Sequence, residues 1–232
     1  SEERLLATFS PVFAAASTEL ATPGLALVSQ SGALGYGTYS LAVDRSLPLG
    51  VVVTTGNEAD VTALEVATKL AEDPSLTGIL IYAESITDIA ALVETASKKP
   101  TAILKSGRSE AGAIAAASHT GALATGDRVT SAAIKQSGAV RVGDVEELLD
   151  AGAIFATQKR LSGKRVAVIT TSGGSGILAA DAIERYGLEL AELKPETRAE
   201  LDQIIPSFGS SANPVDLTAA VMADRELFMR AL

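Results

Sequence analysis

The 232-residue chain contains no cysteine and no tryptophan, and histidine occurs once, at His119. Without cysteine there are no disulfides, no thiolate nucleophile and no zinc–thiolate site, a pattern that suits a reducing cytoplasm. Aromatic residues make up only 4% of the chain, so a core has to be built from Ala, Val, Leu and Ile. Basic residues form no cluster and the formal charge is −9. That argues against nucleic acid and anionic membrane surfaces, which both call for a concentrated positive face. No apolar run approaches the roughly 20 residues that span a bilayer. No basic-then-apolar leader opens the chain, so nothing marks it for secretion.

Hydrophobic residues account for 47% of the chain, enough for a sizeable core in one or two domains. The first residue is not Met, and Phe228-Met229-Arg230-Ala231-Leu232 ends the chain inside an apparent helix. A fragment of a longer protein is the expectation. Short apolar runs predict strands over 25–29, 49–54, 78–82, 101–104 and 139–142. Helical patterns fall over 33–44, 61–71, 86–97, from Asp127 onward, and over 144–156 behind an Asp144 cap. The stretch 106–125, which carries His119, reads as a loose loop. Five strands alternating with five helices predict an α/β fold, a parallel flavodoxin-like sheet covered on both faces.

Residues 158–164 read as a polar linker between a first domain over 25–157 and a second over 165–232, with 1–24 a lead-in. In the second unit the pattern predicts a strand over 166–170, a Ser-Gly turn over 172–176, and a helix over 177–186. A strand over 188–192 and a helix over 197–205 follow. This makes about half a domain, so an incomplete second flavodoxin-like sheet is expected. The chain also repeats itself. Ser31-Gly32 is matched by Ser172-Gly173, and Asn57-Glu58-Ala59-Asp60-Val61-Thr62 by Asn213-Pro214-Val215-Asp216-Leu217-Thr218. This repeat after equivalent elements reads as two paralogous modules in one chain, with ordinary Asp helix caps as the plain alternative.

Each Ser-Gly turn leads into a helix, whose first N–H groups and dipole favour an anion without needing basic residues. Ser31, Gly32 and Ala33, with Ser172, Gly173 and Gly174, are therefore candidate phosphate-binding residues. Other phosphate motifs fail: Gly32-Ala33-Leu34-Gly35-Tyr36-Gly37 is not Gly-x-Gly-x-x-Gly, and neither turn has a P-loop lysine. A strand order 2-1-3-4-5 would gather the Ser31 turn, Glu84 and the His119 segment at one crevice. In that arrangement a neutral imidazole is the nucleophile, a carboxylate sets its tautomer, and helix N-termini hold the phosphoryl oxygens. His119 and Glu84 are the candidate catalytic pair. An incidental histidine and a solvated acid capping the next helix are the plain alternatives. No metal ligands are assigned.

Several stretches resemble the NDP-forming acyl-CoA synthetases, ADP-forming acetyl-CoA synthetase relatives of succinyl-CoA synthetase. They are Val28-Ser29-Gln30-Ser31-Gly32-Ala33-Leu34-Gly35, Thr55-Gly56-Asn57-Glu58-Ala59-Asp60 and Ser118-His119-Thr120-Gly121-Ala122-Leu123, then Thr171-Ser172-Gly173-Gly174 and Ala212-Asn213-Pro214-Val215-Asp216. The resemblance implies two flavodoxin-like ligase domains, a phosphohistidine at His119 held by Glu84, and helix N-termini from both modules beside it. It implies a reaction between acyl-CoA, ADP and phosphate on one side and the carboxylic acid, CoA and ATP on the other. The family's CoA-binding domain and ATP-grasp domain are not seen in this sequence. CoA, ATP/ADP and Mg are therefore expected to bind largely to other domains or to another subunit, and the fragment alone is expected to be inactive. The family pattern admits a homo- or hetero-oligomer. Two rivals remain. One is the ligase-like acyl-CoA-sensing region of a protein lysine acetyltransferase; the other is a flavodoxin-like ligand-binding module without chemistry.

Overall fold

A computed structural model describes residues 24–120, 126–157 and 162–232, with the backbone alone for 117–120. The expected lead-in up to residue 23, the Gly121-Ala122-Leu123 part of the histidine motif, and 158–161 of the expected linker lie outside the described residues. The chain divides into two compact units, with the boundary between Lys159 and Arg160.

The first unit is a five-stranded parallel sheet in the order β2-β1-β3-β4-β5. Its strands are β1 (Leu25–Ser29), β2 (Leu49–Thr54), β3 (Gly78–Ala83), β4 (Thr101–Lys105) and β5 (Val140–Val142). Side chains alternate across each strand. Ala26, Val28, Ile79, Ile81 and Ile103 join one buried cluster, while Leu25, Leu27, Leu80, Ala102 and Leu104 join the other. Helices α1 (Gly32–Asp44), α2 (Ala63–Leu70), α3 (Ile89–Lys98), α4 (Glu110–Thr120), α5 (Asp127–Ser137) and α6 (Val145–Ala156) connect the strands. The first cluster is closed by Leu64 and Ala67 of α2, Leu92 of α3 and Ile134 of α5. Tyr39 and Ala42 of α1 with Leu148 and Leu149 of α6 close the second. Burial on both faces explains why these strands read as unbroken apolar runs.

Three sequence expectations change here. The stretch read as a loose loop holds helix α4, so His119 lies in a helical last turn. Glu110–Thr120 is rich in alanine and has no apolar stripe, so it forms a helix by propensity while lacking the periodicity that identifies one. Helix α2 is capped by Thr62 rather than Asp60, through a box in which the Thr62 hydroxyl and the Glu65 carboxylate each accept the other's backbone N–H. Helix α3 begins at Ile89 behind an Asp88 cap, so Glu84 does not cap it. Asp144 caps α6 as expected, accepting from the Glu147 N–H at 2.8 Å.

In the second unit the expected opening strand is split into β6 (Arg165–Val166) and β7 (Ile169–Thr170). β6 pairs in parallel with β8 (Glu189–Leu190), and β7 with β9 (Val215–Asp216). Where the strand breaks, the Asn213 amide takes the place of a neighbouring peptide. It accepts from the Val168 N–H and donates to the Val166 and Ala191 carbonyls, all at 2.9 Å. The helices of this unit are α7 (Gly173–Arg185), α8 (Pro195–Ile204) and α9 (Leu227–Ala231), and a small core gathers Leu201 of α8, Val215 of β9, Leu217 and Leu227 of α9. Helix α7 starts at the turn glycine itself, four residues earlier than the apolar pattern suggested, because its first turn contributes no apolar contact. The two hexapeptides are not equivalent. Asn57–Thr62 is a loop leading into α2, whereas Asn213–Thr218 contains strand β9. Among the described residues no helix is long and apolar enough to cross a membrane.

Candidate active site

At the end of β1 the Ser29 hydroxyl, fully buried, donates to the Ser31 carbonyl at 2.7 Å and accepts from the Ser31 N–H at 3.1 Å. The chain turns tightly around that side chain. Ser31 caps α1 by accepting from the Leu34 N–H at 3.3 Å, and the first intrahelical bond runs from the Gly35 N–H to the Ser31 carbonyl. The N–H groups of Gly32 and Ala33 precede that bond and sit at the exposed positive end of the helix. Gly35 has to lack a side chain: a Cβ there would lie 2.9 Å from Thr54 Cγ2 and 3.1 Å from Ser29 Cβ.

Gln30 joins this turn to the tip of β3. Its Oε1 accepts from the Glu84 N–H at 2.6 Å and the Ser85 N–H at 3.0 Å, while its Nε2 donates to the Ser85 carbonyl at 3.1 Å. Ser31, Gly32 and Glu84 are thereby brought together by a residue to which sequence reasoning assigned no role. The available signal was a second polar residue following the apolar run Leu25-Ala26-Leu27-Val28. Tyr82 completes the tip. Its hydroxyl lies 3.4 Å from Glu84 Oε1 and 3.3 Å from Ser106 Oγ, and burial, the largest influence, raises its pKa above the usual phenol value.

Strand β4 ends beside this tip, with Ala83 paired to Lys105 and the Ser106 N–H bonded to the Ala83 carbonyl at 3.0 Å. Burial, and after it the nearby Arg141, lowers the Lys105 pKa, while Asp127 and Glu84 act in the opposite sense. Arg141 on β5 is almost wholly buried and committed to the Asp127 carboxylate and the Ser131 hydroxyl. The turn after β4 passes through Gly107 at a φ of +73°, its Cα side packed against Gly112, Ala113 and Ala116 of α4. His119 follows Ala116 by three residues in that helix, and its side chain lies outside the described residues.

The second Ser-Gly turn reproduces the first in its backbone bonding. The Thr170 hydroxyl donates to the Ser172 carbonyl at 3.0 Å and accepts from the Ser172 N–H at 3.1 Å, and the Gly176 N–H reaches the Ser172 carbonyl at 3.1 Å. Gly176 stands where Gly35 does, against Thr170 and Pro214. Gly173 and Gly174 are exposed at the start of α7, as Gly32 and Ala33 are at the start of α1. One difference is chemical: Asp216 Oδ2 lies 3.0 Å from where a Gly173 Cβ would stand, so a carboxylate already borders this helix end. Among the described residues no group of three or more acids or histidines could hold a metal ion.

Residues 22–155 match the succinyl-CoA ligase-like flavodoxin domain family, and residues 166–224 match the Ligase-CoA domain. The alpha subunit of ADP-forming acetate–CoA ligase I from Pyrococcus furiosus is 40% identical over 99% of this chain and 48% of its own length. ADP-forming 4-hydroxybutyrate–CoA ligase from Nitrosopumilus maritimus is 37% identical over 83% of this chain and 28% of its own. A solved structure of dinucleotide-forming acetyl-coenzyme A synthetase 1 from Ca. Korarchaeum cryptofilum, in complex with phosphate and ADP, superposes with a TM-score of 0.81. It is 31% identical and covers 92% of this chain, which in turn covers 47% of that one. The chain thus spans about half, or less, of the length of these relatives. With its parallel sheet in the order β2-β1-β3-β4-β5 and its clamped Ser-Gly turn, the chain belongs to the succinyl-CoA ligase-like flavodoxin domain family of the NDP-forming acyl-CoA synthetases.

Proposed function

We propose that this chain is the phosphoryl-carrying part of an ADP-forming acyl-CoA synthetase, an acid–thiol ligase. One observation carries the reading: Gln30 locks Glu84 beside the open helix end at Ser31, Gly32 and Ala33, at the strand tip next to the helix that bears His119. In the acyl-CoA-consuming direction, phosphate displaces CoA from the acyl group to give an acyl phosphate. A neutral His119 nitrogen then attacks phosphorus, the P–O bond to the acyl group breaks, and the carboxylate leaves with that electron pair. Attack by the terminal oxygen of ADP on phosphorus breaks the P–N bond, releases the imidazole and forms ATP. Glu84 accepts the other imidazole N–H and favours the reactive tautomer. The N–H groups of Gly32 and Ala33 bind the phosphoryl oxygens, whose charge builds up during transfer. Ser172, Gly173 and Gly174 offer a turn of the same design in the second unit.

The proposal takes residues 25–157 and 165–232 as two ligase domains joined through 158–164. CoA and the nucleotide bind largely to a CoA-binding domain and an ATP-grasp domain, on the same polypeptide or on a partner subunit. No described acid cluster fits magnesium, so magnesium belongs with the nucleotide on those domains, and no step above depends on it. A cytoplasmic location is part of the proposal, since the reaction draws on CoA and nucleotides.

The test uses the assembled full-length enzyme, ATP labelled in its terminal phosphate, and magnesium. The expected outcome is a protein-bound phosphate that is stable in base and labile in acid, and that is absent from His119→Asn. Equal labelling of that variant, or label on another residue, overturns the reading.

A further inference from the structure

Lys105 takes no part in the steps above, yet its placement is unusual. It lies at the carboxyl end of β4, next to the Glu84 strand tip and directly before the turn that packs against α4. It is half-buried, and its ammonium donates to the Ser106 carbonyl at 2.6 Å. That bond uses one of three donors. The neighbouring Arg141 is tied to Asp127 and Ser131, whereas no carboxylate among the described residues forms an ion pair with Lys105. Removing a cation from water without an anion is costly, and a half-buried lysine without an ion-pair partner is an uncommon choice at the end of an otherwise buried strand.

The position makes sense of the cost. Adjacent strands are separated by about 4.8 Å, so the β3 tip with Glu84 stands between the Ser31 turn on β1 and Lys105 on β4. The helix end and the ammonium thus flank the same strand tip from opposite sides. We infer that Lys105 is an anion-binding residue for the phosphoryl group, holding its oxygens on the α4 side while the α1 N-terminus holds them on the other. Its two spare donors match a tetrahedral anion, and its charge offsets Glu84 when a second negative group arrives. This inference rests on the phosphoryl-transfer reading given above. Lowering of the Lys105 pKa by burial agrees with an ammonium kept from bulk water.

The experiment compares wild type, Lys105→Met and Lys105→Arg in the assembled full-length enzyme. It measures the KM for inorganic phosphate and for CoA, kcat, and acid-labile labelling of His119. Lys105→Met should raise the phosphate KM about tenfold, the loss expected for one charged hydrogen-bonding contact, and leave the CoA KM unchanged. Lys105→Arg should recover most of the phosphate affinity, and thermal unfolding should show both variants folded. A phosphate KM unchanged in Lys105→Met overturns the assignment, as does an equal rise in both KM values, which marks a structural effect. If wild type itself carries no label on His119, the parent reading fails instead, and the two failures are told apart.

Discussion

The two Ser-Gly turns share their backbone and differ in nearly everything around it. In each, a Ser or Thr hydroxyl, from Ser29 or Thr170, bonds the N–H and carbonyl two residues on, and a glycine sits one helical turn later against the strand. Around the first, all of β1 is buried between two helical layers, Ser31 caps its helix, and Gln30 clamps a neighbouring strand. Around the second, the strand is split and only half-buried, Ser172 makes no cap bond, and Thr171 at the place of Gln30 is exposed. A carboxylate, Asp216, stands close to its helix end where the first turn is open. Turn shape is thus a local property of the pattern Ser/Thr-x-Ser-Gly-x-x-Gly. What the turn can bind depends on what the neighbouring strands bring to it.

Paired substitutions separate these layers. The largest contrast is expected between Gln30→Ala and Thr171→Ala. The first strands two half-buried N–H groups and frees the Glu84 tip, costing about 2 kcal/mol in chemical unfolding and slowing His119 labelling at least about tenfold through lost positioning. The second removes an exposed side chain and should stay within about 0.5 kcal/mol with labelling unchanged. Equal effects would show that the two turns are used alike. Next come the close-approach glycines. A Cβ at Gly35 meets atoms at 2.9 and 3.1 Å, whereas at Gly176 the nearest are 3.2 and 3.3 Å. Overpacking costs about 1–3 kcal/mol and a helical Gly→Ala exchange returns about 1. Gly35→Ala should therefore lose about 1 kcal/mol net and Gly176→Ala close to none, read as unfolding midpoints. The smallest difference separates Ser31→Ala from Ser172→Ala. Only the first loses a cap, and its 3.3 Å bond is long, so about 0.5 kcal/mol is expected against no change.

The strand pattern was readable because a parallel sheet covered on both faces needs continuous apolar runs, and five such runs stand between Ser-, Gly- and Asp-marked turns, whereas the order 2-1-3-4-5 was a condition that the structure meets. Helix α4 was not readable. Glu110–Thr120 carries alanine on every side, and a search for an apolar stripe passes over it. The equivalence of the two hexapeptides was a reading of letters alone: identical spacing serves a helix entry in one unit and a strand in the other. Gln30 and Lys105 were named or passed over as ordinary polar residues, because their importance lies in partners 54 and 55 residues away or on a neighbouring strand.

The sequence by itself determined the local features: which segments are strands and where each turn tightens around a hydroxyl. Those depend on residues within one turn of each other, so short patterns report them. Only the tertiary structure decided which polar groups meet at the strand tips. Sheet order sets Ser31, Glu84 and Lys105 at the ends of three adjacent strands drawn from 75 positions of chain, and the Gln30 amide holds the first two in register. Hydrogen bonds of that span follow from packing, because the cost of leaving a buried amide unpaired is levied only once the strands are side by side.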